Sequence, residues 1–133
     1  MKSEYRAWLK EKQQMWNVIC INWELNEVEL CLAGKYRVVP LCRVILMRNT
    51  GRQDISGEDV YEGDVLESHQ GTQILDISLI VKYGKYQAYC PVDREYMDNI
   101  GFYVEAAGYQ QMPLGNLEEY AKVIKNIYEI QQS

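Results

Sequence analysis

Acids crowd one short stretch near the middle of this chain: Asp54, Glu58, Asp59, Glu62 and Asp64. Carboxylates in such numbers can hold a hard cation through oxygen ligands, or divide the roles of general acid and general base. Neither template fits. A calcium loop of the EF-hand kind takes ligands at alternate positions and glycine at the sixth. Counted from Asp54, the glycine falls at the fourth position, Gly57. A hydrolytic pair needs a fixed separation across a cleft, and nothing in this spacing defines one. Turn chemistry fits better. Asn49-Thr50-Gly51, Asp54-Ile55-Ser56-Gly57 and Glu62-Gly63-Asp64 each combine glycine with a side chain able to bond nearby backbone. Asp54 and Asp64 are therefore expected to bond turn backbone while the glutamates face solvent. Val60, Tyr61 and Val65 supply apolar anchors, so the stretch 48–64 reads as a loop packed by its own side chains that feeds a strand.

The remaining reactive residue types are sparse. His69 is the one histidine; it is read as an exposed loop residue, because activating a nucleophile needs a sheltered base with an orienting partner. Cys20, Cys31, Cys42 and Cys90 show no C-x-x-C spacing and are read as buried free thiols of a reducing compartment, neither disulfides nor a zinc site. Gly51, Gly57 and Gly63 recur without the Lys-Ser/Thr ending of a phosphate loop. Arg6 with Tyr5, Trp8 and Trp16 could stack on bases; a small aromatic core over the first hairpin is the preferred reading. Trp23, in a reversal, either anchors a partner or folds back on Leu25. No catalytic, metal or cofactor-binding residue is assigned, no cofactor is expected, and the binding residues are unknown.

The central stretch carries a resemblance. T-G-R-Q-D-I-S-G-E-D-V-Y-E-G-D-V resembles the signature of the YopX family of phage and prophage proteins, at Thr50, Gly51, Asp54, Gly57, Val60, Tyr61, Glu62, Gly63, Asp64 and Val65. Tyr5-Arg6-Ala7-Trp8, with Met15 beyond it, resembles the family's opening F-R-A-W. The run from Val123 to Glu129 resembles its closing V-I-G-N-I-Y-E, with Lys125 where glycine is usual. Arg48-Asn49 stands where the family has Gln-Tyr. The resemblance implies a phage-derived origin and a mostly β fold. It implies no activity, because the family's molecular role is not established.

Composition narrows the classes further. The 133 residues, 47% hydrophobic, suit one compact domain or two very small lobes. Eleven tyrosines and three tryptophans against one phenylalanine favour strands and half-wet positions, in small sheets or at an interface. The net charge of −5, with basic residues scattered, argues against a grip on a phosphate backbone. No apolar run approaches the ~18 residues of a membrane span, and no apolar segment follows the N-terminal residues. A cytoplasmic location in a bacterial host cell is expected.

The elements that must position these residues are mostly strands. Residues 5–8, 15–21, 27–32, 36–39 and 43–47 read as short antiparallel strands; Val28, Leu30 and Leu32 alternate with polar neighbours, and Pro40 ends its strand. Beyond the central loop, strands are expected at 64–68, 74–83, 86–90, 100–105 and 123–128. Gly84-Lys85 is read as a two-residue type II′ turn. Residues 92–99 are read as a loop or helical turn, and 117–121 as helical turns capped by Asn116. The expected fold is mainly β, in a single domain, 1–133. An N-terminal meander (1–48) precedes a central loop and a small SH3-like β-barrel (49–133) with one short helical turn. The expected function is a non-enzymatic phage or prophage accessory module that binds protein or associates with itself. The alternative is a nucleic-acid-binding small barrel using Lys82, Lys85, Arg94, Lys122 and Lys125.

Overall fold

The structure is a computed structural model, and it describes residues 4–70, 73–115 and 117–130. The chain divides into two compact units, residues 1–49 and 50–133.

The first unit is the antiparallel meander expected from the sequence. It contains β1 (Tyr5–Leu9), β2 (Gln14–Asn22), β3 (Glu27–Leu32), β4 (Lys35–Pro40) and the first part of β5 (Val44–Gln53). Hydrogen bonding runs in the order β4-β3-β2-β1-β5. Alternation buries Val28 and Leu30 of β3, with Val39 of β4 and Trp16 and Val18 of β2, over Ala7 and Leu9 of β1. Trp8 and Trp16 are both buried. Arg6 lies opposite Met47, with its Nη2 3.8 Å from the Met47 sulfur.

The second unit holds the end of β5, β6 (Asp59–Tyr61), β7 (Asp64–Gln70), β8 (Gln73–Cys90), β9 (Glu95–Glu105), β10 (Met112–Pro113), β11 (Ala121–Asn126) and α1 (Ile127–Ile130). Strands β7 to β11 form one antiparallel sheet in the order β10-β9-β8-β7-β11, curled into half a barrel. Its core joins Val60, Leu66, Leu79, Val81, Val104 and Leu117. A single 3-10 turn, Leu117–Glu119, precedes β11; the proposed cap Asn116 lies outside the described residues.

Several expectations need correction. Thr50 and Gly51 do not turn: both stay in β5, where Gly51 takes φ +79°. Thr50 Oγ1 donates to the Val60 carbonyl and accepts from Arg52 N–H, so the side chain holds the irregular strand together. Gly84-Lys85 does not reverse the chain either. β8 continues through it without a break, and Gly84 faces Gly101 on one rung, at φ +148° and +158°. Both conformations favour glycine, so the pair marks a departure from regular pleat inside a long ribbon. The actual reversal is residues 91–94, closed by Arg94 N–H to the Cys90 carbonyl, and β9 begins at Glu95 where a loop or helical turn was expected. The last strand begins and ends two residues earlier than expected, because Asn126 ends it by capping α1.

Candidate functional site

The signature turns are built around two buried carboxylates. Asp54 is 2% exposed and Asp64 1%. Asp54 Oδ1 accepts N–H bonds from Ser56 and Glu58, each at 2.9 Å, closing its own turn. Asp54 Oδ2 accepts from Val123 N–H, also at 2.9 Å, sixty-nine residues on in the chain. The backbone repeats the link: Ile55 N–H reaches the Ala121 carbonyl at 2.8 Å. One side chain thus ties the D-x-x-G turn to β11 through charge-assisted bonds, which are about twice as strong as neutral ones.

Asp64 does the same for the next turn. Its Oδ2 accepts Tyr61 N–H at 2.8 Å, spanning Glu62 and Gly63. Gly63, at φ +89°, is buried, and its backbone is used on both sides. Its N–H donates to the Val81 carbonyl at 2.8 Å, and its carbonyl accepts from Ile127 N–H at 2.9 Å. Asn126 completes the arrangement. Its Oδ1 accepts from Tyr128 and Glu129 N–H, while its Nδ2 donates to Glu129 Oε1 at 2.6 Å, a helix cap with an acid three residues on. Burial, and then the charge of Glu62, push the Tyr128 hydroxyl upward. Asp54 and Asp64 therefore bond turn backbone as read from the sequence. Glu58 is exposed, whereas Asp59 and Glu62 are half-buried.

Asp54 spends both carboxylate oxygens on backbone N–H donors, and Asp64 spends its Oδ2 on one. Among the described residues, no three His, Cys, Asp or Glu side chains come together to hold a metal ion. His69 is not an exposed loop residue. It sits half-buried in β7, 2.8 Å from Glu67 Oε1, with its N–H on the Tyr120 carbonyl. The cysteines are free but none is buried. Cys20 lies opposite Glu29 on the outward face of β2, and the hydrogen bond from its thiol to that carboxylate pushes the thiol up. Cys31 falls on the outward side of the β3 alternation, and an irregularity between Val18 and Cys20 carries Cys20 out of the inward phase of Trp16 and Val18.

Two of the five basic candidates are held in ion pairs. Lys82 is paired with Glu105, and Lys85 with Asp98 at 3.0 Å. Lys122 and Lys125 are exposed on β11, and Arg94 is exposed at the β8–β9 reversal. Trp23 and Leu25 are both exposed.

The surface that sequence reasoning missed is the outer half of the β8–β9 ribbon. Every residue from 91 to 100 is exposed. Val92 is 89% and Ile100 78% exposed, and Tyr89, Tyr96 and Met97 are about half exposed. Tyr89 and Tyr96 face each other across the ribbon with ring centroids 5.4 Å apart. The misplaced turn at Gly84 hid this surface; with the reversal at 91–94, the apolar residues of both strands come into register.

The fold and these turns define a small, mainly β protein whose two buried signature aspartates bond backbone. The chain belongs to the YopX protein family: the family model, described as YopX protein, matches residues 4–130, nearly the whole length. That match spans all three stretches on which the resemblance was noted. No curated protein matches the chain. No helix among the described residues is long and apolar enough to cross a membrane.

Proposed function

We propose that this protein is a non-enzymatic binding module of phage or prophage origin, acting in the bacterial cytoplasm on another protein chain or on itself. The observation that carries this reading is the outer ribbon of β8 and β9, which displays Tyr89, Val92, Tyr96, Met97 and Ile100 to solvent. An isolated two-stranded ribbon is marginal in water, and aromatic and Met side chains are enriched where chains meet. The buried, backbone-bonded state of Asp54 and Asp64 supports the absence of catalysis at the signature. The half-barrel with a 3-10 turn before its last strand agrees with an SH3-like order, which lends support by analogy of architecture.

The test is a pull-down from lysogenic host cells with a photocrosslinker at position 92, half of the lysate nuclease-treated. The reading expects a protein adduct unaffected by nuclease. An adduct that vanishes with nuclease, or retention of nucleic acid that weakens steeply with salt, would favour the small-barrel nucleic-acid reading instead.

A further inference from the structure

The basic residues are scattered along the sequence, but the two units share the charge unequally. Residues 1–49 hold eight basic and five acidic residues, a net +3; residues 50–133 hold six and fourteen, a net −8. The fold then gathers four of the eight cations of the first unit. Lys10 and Lys12 lie in the turn between β1 and β2, Arg37 lies on β4, and Arg43 ends the 3-10 turn Leu41–Arg43. Lys10 Nζ donates to the Cys42 carbonyl at 3.2 Å, and Lys10 N–H to the Arg43 carbonyl at 3.1 Å, which fixes the two turns side by side.

One acid stands among these cations. Glu11 Oε1 accepts from Arg37 Nη2 at 2.7 Å, while Glu11 Oε2 lies 3.8 Å from Arg43 Nη1, beyond hydrogen-bond distance. The hydrogen bond from Arg37, then the charges of Arg37, Arg43 and Lys12, hold the Glu11 carboxyl below its ordinary value. The other acids of this unit are placed elsewhere. Glu4 precedes β1, Glu24 lies in the β2–β3 turn, Glu27 opens β3, and Glu29 accepts from the Cys20 thiol. Four cations thus share one carboxylate. The Arg43 side chain is 58% exposed, and a guanidinium fork open to solvent matches an incoming carboxylate through two parallel bonds.

We propose that this cluster is a docking site for an acidic segment of a partner protein, with Arg43, Lys10 and Lys12 taking its carboxylates beside the Arg37–Glu11 pair. It is a second surface, in the other unit from the β8–β9 ribbon, and it stands or falls without that ribbon. Glu11 itself displays the ligand chemistry, since a carboxylate already sits between two guanidiniums here. The same residue selects against nucleic acid. A duplex carries one charge per ~1.7 Å of its axis, so it extends past four cations into the field of a chain whose net charge is −5. Glu11, inside the cluster, then faces its phosphates. A short acidic segment sets one or two carboxylates on Arg43 and Lys12 and avoids both penalties.

Fluorescence anisotropy of a labelled hexaglutamate peptide, titrated with the full chain at low salt, tests this. The wild type binds the peptide and releases it as salt rises. Arg43→Gln weakens binding about five-fold and Lys12→Gln about two-fold. Arg52→Gln, at an exposed arginine of the second unit, removes the same charge and leaves binding unchanged. Glu11→Gln tightens binding about two-fold, because it removes a like charge and releases Arg37; a purely structural ion pair would give no gain. Should Arg43→Gln disturb folding, Lys12→Gln decides, since Lys12 is exposed in a turn. No binding at low salt, or equal losses in Arg43→Gln and Arg52→Gln, overturns the proposal. A single-stranded oligonucleotide of equal charge that binds more tightly than the peptide overturns the peptide assignment and gives the cluster to nucleic acid. A chain blind to hexaglutamate that still yields the adduct at position 92 overturns the cluster alone and leaves the ribbon reading standing.

Discussion

The turns at 54–64 and the ribbon end at 91–100 are both polar, both rich in acids and both in the second unit, yet their side chains face opposite ways. In the turns, Asp54 and Asp64 point inward and saturate backbone donors from three separate segments. At the ribbon end, Asp93, Glu95 and Asp98 lie at the surface among Val92, Tyr96 and Ile100. A conspicuous motif thus turns its aspartates in to backbone, and a less conspicuous hairpin turns its side chains out to solvent. The difference follows from what each segment must satisfy. A buried loop must pair every backbone N–H, and short acids do that. A ribbon satisfies its own ladder through backbone pairing, so its side chains are not needed as backbone acceptors.

Substitutions sharpen the contrast. Asp54→Ala removes the acceptor of three N–H groups and leaves the Val123 donor inside the unit, so it should cost about 4 kcal/mol in denaturant unfolding. A loss near zero would mean the turn is held elsewhere. Gly63→Ala places a side chain at φ +89° in a buried turn; about 1–2 kcal/mol is expected in the same assay. Asn126→Ala deletes the α1 cap and should cost about 1 kcal/mol, with a matching rise in amide exchange at Tyr128 and Glu129.

Acid titration probes the ribbon's base. The Lys82 ammonium, then Gln111, hold the Glu105 carboxyl below its ordinary value. A depressed carboxyl contributes stability above the ordinary carboxylate range, and loses it as pH falls through its folded value. Lys82 is raised chiefly by its hydrogen bond to Glu105, so its contribution is complete below the ordinary lysine range and fades as pH rises through the raised value. Both side chains are partly exposed, so a Glu105→Gln comparison should show an effect below about 1 kcal/mol. Smallest of all, Ile100→Asp on the outer ribbon, where the side chain is exposed, should move stability by less than about 0.5 kcal/mol, while abolishing the adduct crosslinked at position 92.

Sequence made the first unit legible because Glu27 to Leu32 alternates cleanly and Pro40 stops its strand. It also showed that Asp54 and Asp64 serve turns, since their neighbours are glycine and serine. Local pattern carries no information on Asp54 reaching Val123, which only the fold brings near. Gly84-Lys85 misled because glycine serves a tight reversal and a paired mid-strand rung equally well; its partner Gly101 lies too far along the chain for local reading. His69 was misplaced because its strand extends through Gln70, past the last apolar residue of the pattern.

The most direct measurement is amide hydrogen exchange in Asp54→Asn against the wild type. Asparagine keeps the shape but sets an NH2 group against a donor that the carboxylate satisfied. If the signature acid is structural, protection falls selectively at Ser56, Glu58 and Val123 while the β1–β4 amides keep theirs. Unchanged protection at those three amides would contradict the account, and would return Asp54 to the list of residues in search of a chemical role.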